Sequence, residues 1–252
     1  MDSVCSIATN LDRNKIPVAS EQSSEERESF LLGWTTKSCS FNALIDLEEG
    51  WEILFAYGIQ MIHKFLSGEC STEEMKRPIG TKGFASLHAI SYKLSTTPRL
   101  DNTDYTKDLY DRCKKSVKDF VDTYITQRLL KLLGGDRMSF LRMFIDSWAK
   151  HKLLTKWMYR LFSNLDKTVV IIEVLPTITS CYLNCFYEGV FLHFDEHIRL
   201  CVIESYAKDR EGGLLDNERD VLREVVEVSP LFLFCCTVMD GCQPTCLCCF
   251  HL

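Results

Sequence analysis

The stretch Met138–Val170, MSFLRMFIDSWAKHKLLTKWMYRLFSNLDKTVV, decides the fold. It runs for 33 residues without Gly or Pro and carries Trp148 and Trp157. Phe140, Leu141, Phe144, Ile145 and Trp148 recur at helical spacing, and so do Leu153, Leu154, Trp157, Met158, Leu161, Phe162 and Leu165. At about 100° per residue the second set reads as rotated roughly half a turn from the first. The expectation is one continuous helix held from both sides, with both tryptophans in the core and His151 a polar position where the buried face changes.

Working outward, amphipathic helices succeed one another. Asp46 is placed to cap a helix, with Glu49 three residues on as its partner. Leu47, Trp51, Leu54, Phe55, Ile62, Phe65 and Leu66 define its apolar face, and Ser67-Gly68 ends it. A polar connector through Pro78-Ile79-Gly80 leads to a helix from Phe84 to Thr96, stopped by Thr97-Pro98-Arg99. Another helix runs from Tyr105 to Gly134-Gly135 with Leu109, Cys113, Val117, Phe120 and Tyr124 inward. After Pro176, Leu183, Phe186, Tyr187, Val190, Phe191 and Phe194 form the next stripe. Gly212-Gly213 breaks it, and Asn217 with Asp220 opens a last helix burying Val221, Leu222, Val225 and Val228. Almost nothing alternates with period two, so the fold class is all-α.

Composition narrows the function. With 46% hydrophobic and 25% charged residues, the chain has enough apolar content to build a core over most of its length. A net charge of −6 and the lack of a Lys/Arg-rich block argue against a nucleic-acid partner. Residues 1–40, rich in Ser and Glu, read as a mobile polar extension. Met1–Asn10 shows no secretory pattern, so the thirteen cysteines read as reduced thiols in a cytoplasmic or nuclear protein.

Six of those cysteines crowd between Cys235 and Cys249. The run Cys242-x3-Cys246-x-Cys248-Cys249-x-His251 has soft ligands, but its spacing fits no zinc finger or ribbon. Asp240, Gln243 and Pro244 interrupt an apolar stretch already too short for a membrane span. No metal, cofactor or membrane is expected. His151 near Asp146 and Lys152 has no nucleophile placed with it, and His193 and His197 lack a third ligand. No catalytic residue is expected either.

Four motifs in register carry a resemblance. Trp148-Ala149-Lys150-His151-Lys152, Trp157 to Phe162 and Leu165-Asp166-Lys167 together resemble the fifth helix of the first cullin repeat. Asp46-Leu47-Glu48-Glu49-Gly50-Trp51 resembles the opening helix of plant cullins, and Leu109-Tyr110-Asp111 the start of the third. Asp209-Arg210-Glu211-Gly212 with Asp216 resembles the family's Glu-Arg-x-Gly turn in the second repeat. The resemblance covers about Ile45 to Val228.

It implies a five-helix first repeat over 41–174, the start of a second over 175–228, and an off-pattern Cys-rich tail over 229–252. The family's opposite end, which binds the RING-box subunit and bears a modified lysine, has no counterpart here. The resemblance thus implies a shortened, non-enzymatic scaffold that docks a Skp-type adaptor carrying an F-box protein, without a RING-box subunit, as part of an SCF-like ubiquitin ligase for protein degradation. Two alternatives stand beside it: a half-scaffold of a split ligase, and a decayed gene product without adaptor binding. The adaptor contacts carried over are Phe84, Ala85, His88 and Tyr92 on the second helix and Asn164 and Lys167 on the fifth. His88 and Asn164 stand where the family usually has Tyr, Ala85 where Met is common, and Lys167 where Arg is.

Overall fold

In the computed structural model, residues 23–38, 45–71, 81–96, 105–173 and 175–239 are described, the last eleven by their backbone alone. The connectors at Pro78-Ile79-Gly80 and Thr97-Pro98-Arg99, and the tail from 240 onward, lie outside the described residues. Every element among the described residues is helical. The chain forms two compact units, Met1–Thr97 and Pro98–Leu252.

The first unit holds α1 (Ser24–Ser38), α2 (Leu47–Ile53), a π-helical segment π1 (Leu54–Ile59), α3 (Gln60–Ser67) and α4 (Thr81–Thr96). Asp46 caps α2 as expected, its Oδ2 accepting from the Glu48 and Glu49 N–H groups at 3.1 and 3.4 Å. Gly68, at φ 84°, closes α3, with the Gly68 and Glu69 N–H groups donating to the Phe65 and Lys64 carbonyls. Only a residue without Cβ takes that left-handed position cheaply.

Two expectations fail in this unit. Residues 24–38 are helix α1 and not part of a mobile extension: Leu31 is fully buried, Trp34 is 7% exposed with Nε1 donating to Glu49 Oε1 at 3.3 Å, and Phe30 stacks on Tyr57 at 5.1 Å. The predicted inner face of the next helix is also partly wrong. Phe55 is 38% exposed while Tyr57 and Ile59 are fully buried. Tyr57 continues at helical spacing the buried stripe of Gly50, Ile53 and Leu54, and Phe55 falls outside it.

The second unit holds α5 (Tyr105–Phe120), π2 (Val121–Thr126), α6 (Gln127–Leu130), α7 (Arg137–Glu173), α8 (Ile178–Phe186), π3 (Tyr187–Phe191), α9 (Leu192–Arg210) and α10 (Asp216–Met239). Helix α7 is the predicted continuous helix, 37 residues long. Asp136 starts it, with Oδ2 accepting from the Ser139 N–H at 2.8 Å and hydroxyl at 2.7 Å, and these bonds hold its carboxyl below the usual range. Around α7 pack α5, α6, α8, α9 and α10.

The half-turn rotation expected between the two halves of α7 is absent. Phe140, Phe144, Ser147, Trp148, His151, Leu154, Thr155, Met158, Leu161, Phe162 and Leu165 are all buried and fall within about 140° of one another. One straight stripe with a polar middle runs the length of the helix, and Met138, Leu141 and Asn164 are buried beside it. Its second half reads as rotated only when Leu153 and Trp157, both half-buried, are counted as core and His151 and Thr155 as surface.

His151 is therefore a core residue, 0% exposed. Its Nε2–H donates to the Tyr182 carbonyl at 2.9 Å, and its ring lies 4.9 Å from that of Phe186. Burial holds its pKa down at about 4, so the imidazole is neutral at physiological pH. Helix α10 differs from expectation too. It starts at Asp216 and its backbone continues through Pro230 to Met239, whereas the sequence pattern breaks at 229.

Candidate protein-docking surface

Helix α4 is positioned from beneath by a glycine. A Cβ at Gly50 would meet Leu94 at 2.9 Å and Ile45 at 3.0 Å, so α2 and α4 approach as closely as they do only because that side chain is absent. The inward side of α4 carries Leu87, Ile90, Ser91 and Leu94, all 4% exposed or less. At about 100° per residue, Phe84, Ala85, His88 and Tyr92 then share an outward arc of about 100°. Ala85 is exposed, Phe84 and His88 are half-buried, and Tyr92 is 54% exposed. The four second-helix candidates therefore form one surface.

The two fifth-helix candidates divide. Lys167 is exposed on α7, but Asn164 is only 6% exposed, and a side chain that the chain itself covers offers no docking contact. The outward side of α7 instead presents Lys156, Tyr159, Arg160 and Lys167, with Tyr159 42% exposed. Sequence reading missed Tyr159 because the phase of the buried stripe was misjudged; with the stripe run through His151 and Thr155, Tyr159 falls outside it. Trp157 is half-buried with the Arg160 guanidinium 5.6 Å from its ring, so it is not the core tryptophan expected, whereas Trp148, at 4% exposed, is.

The motifs of the resemblance turn out to build the scaffold. Asp166 Oδ1 accepts from the Ile178 N–H at 2.6 Å, tying the end of α7 to the start of α8; burial pushes its carboxyl pKa up and this bond pulls it back. The Tyr110 hydroxyl donates to the Pro176 carbonyl at 3.0 Å, fixing the same corner from α5. At the α9–α10 corner, Arg219 donates to Asp209 at 2.7 Å and to Asp216 at 2.9 Å across a turn closed by Gly212 at φ 75°.

The Cys181 thiol is lowered to about 7, first by a hydrogen bond from Cys185 and then by one from Tyr110, yet Cys181 is 5% exposed and Cys185 3%. No substrate reaches a thiol so covered. Among the described residues no cluster of three or more His, Cys, Asp or Glu could hold a metal ion, and no helix is long and apolar enough to cross a membrane.

Residues 58–231 match the cullin alpha solenoid domain. The chain is 27% identical to Cullin-1 of Oryza sativa subsp. japonica over 185 residues, which is 73% of the chain and 23% of that protein. It is 26% identical to Cullin-2 of Arabidopsis thaliana over 72% of the chain and 23% of that protein. It is also 27% identical to Cullin-like protein 3 of Arabidopsis thaliana over 48% of the chain and 46% of the relative. The chain thus spans about a quarter of the length of the two cullins it matches. An all-α chain whose helix corners are fixed by the family's own motifs, and most of whose length matches the family's solenoid domain, belongs to the cullin family.

Proposed function

We propose that this chain is an adaptor-docking piece of a cullin-type scaffold for ubiquitin-dependent degradation, taking a Skp-type adaptor with its F-box protein on the outward face of α4. Lys167, in the second unit, is a separate ion-pairing contact to the same class of partner. The chain contributes binding and no catalysis. The observation that carries this reading is Tyr92, a large aromatic left 54% exposed on the same face as Phe84, Ala85 and His88. Exposed aromatics of this kind serve as anchors when a partner buries them.

The identity of the side chains sets the expected affinity. At His88 an imidazole offers less ring area than a Tyr, so the docked complex is weaker than one anchored by two tyrosines. The test is the Kd of the purified chain for a Skp-type adaptor bound to an F-box protein. His88→Tyr should strengthen binding by about 1–2 kcal/mol, or roughly five- to thirtyfold. Asn164→Tyr should not, because a ring added at a covered site overpacks it. If the chain does not bind the adaptor at millimolar concentration, or His88→Tyr leaves Kd unchanged, the assignment to α4 is wrong.

A further inference from the structure

Helix α9 has a second, unrelated surface. Phe194, Ile198, Cys201 and Ser205 bury its inner side. On the opposite side, Glu196, Leu200, Ile203, Tyr206, Ala207 and Arg210 lie within about 120° of one another, and all six are exposed. Ile203 is 63%, Leu200 49% and Tyr206 42% exposed, so a β-branched, an aliphatic and an aromatic side chain sit together in water. Neither the Glu196 carboxylate nor the Arg210 guanidinium has a side-chain partner among the described residues.

The order of these residues has a symmetry. Leu200 and Tyr206 stand three positions either side of Ile203, and Glu196 and Arg210 seven either side. Seven residues are close to two helical turns, so all five remain on one face. An antiparallel copy of α9 with its two-fold axis at Ile203 would set Ile203 against its own copy, bring each Leu200 level with a Tyr206, and place each Glu196 opposite an Arg210. Two ion pairs would then bracket an apolar centre, the self-complementary pattern that an isologous interface requires.

We propose that a second copy of this chain docks on that face, forming an antiparallel α9–α9 dimer centred on Ile203. One helix face buries less than the roughly 800 Å² per partner of a standard interface, so the dimer is a weak one, with Kd of about tens of micromolar. It does not depend on the α4 face or on an adaptor.

The test is sedimentation equilibrium of the full chain from about 1 to 500 µM under reductant, which keeps the thiols of the tail from cross-linking. The wild type should show a monomer–dimer equilibrium, and Ile203→Glu should abolish it by placing two like charges at the axis. Glu196→Arg and Arg210→Glu should each weaken the dimer by about five- to thirtyfold, since each breaks both symmetry-related pairs. The double variant, with the charges exchanged, should return to within about threefold of wild type. Circular dichroism of each variant checks that the fold is kept, as these positions are exposed. A wild type that is monomeric at 500 µM overturns the proposal. So does a dimer indifferent to Ile203→Glu, or a charge exchange that fails to restore association.

Discussion

Lowering the pH tests the interior of α7 more sharply than any truncation, because the centre of its buried stripe is a histidine. His151 is fully buried and neutral, with Nε2–H committed to the Tyr182 carbonyl. Its Nδ1 is buried without a hydrogen-bond partner, so a proton added there meets no acceptor. The folded-state pKa of about 4 lies below the ordinary value of 6.5. Between those values the unfolded chain binds a proton that the folded chain refuses, so stability is full above pH 6.5 and falls as the pH drops toward 4. At 1.36 kcal/mol per pKa unit this loss is about 3 kcal/mol, set against the roughly 5–15 kcal/mol of a typical domain. His63, lowered to about 4 by burial, acts in the same direction, so the His151 share has to be isolated. His151→Gln keeps a neutral donor for the Tyr182 carbonyl and removes the titration. Urea unfolding of both proteins at half-unit steps from pH 7 to 4.5 should show the wild type losing about 2 kcal/mol more than the variant. Parallel losses in the two proteins would refute the buried neutral histidine.

Other consequences concern packing and turns. Trp148→Ala should cost about 3–5 kcal/mol in urea unfolding, as emptying a buried aromatic site does, while Trp157→Ala, at a half-buried position, should cost no more than about half as much. Gly212→Ala should cost about 1–2 kcal/mol although nothing lies within 4 Å of the added Cβ, because the penalty sits in the backbone at φ 75°; a thermal melt unchanged from wild type would show that the turn relaxes. Deleting Ser229–Leu252 should lower total helicity by circular dichroism, because the α10 backbone runs on to Met239.

Most of the helices were legible in the sequence because their ends carry chemistry that acts locally. Asp46, Gly68 and Gly212 do in the structure what their residue types dictate. The long α7 was legible because nothing in Met138–Val170 can break a helix. Its inner face was not, because a core that contains Ser147, His151 and Thr155 defeats any reading that equates buried with apolar. The face of α2–α3 failed for another reason: the wholly apolar Phe55 is left outside while Tyr57, with its polar tip, is taken inside. Helix α1 hid behind Ser and Glu, although Leu31 and Trp34, three apart, were the pair that signals one buried side.

The candidate surface was less legible still. Periodicity separates inside from outside on α4, but only resemblance to the family picks out Phe84, Ala85, His88 and Tyr92 among outward residues. The same resemblance placed Asn164 on a surface where it is not, since alignment of a motif carries residue positions and not burial. The motifs that made the family recognisable fix helix corners, so they identify the scaffold without marking what docks on it.

Calorimetric titration of a Skp-type adaptor–F-box complex into the wild-type chain and into Tyr92→Ala tests the central claim most directly. Tyr92 is exposed, so its removal leaves the fold intact, and as an anchor it should cost at least about 2 kcal/mol, a loss of roughly thirtyfold or more in affinity. An unchanged Kd for Tyr92→Ala would contradict docking on α4.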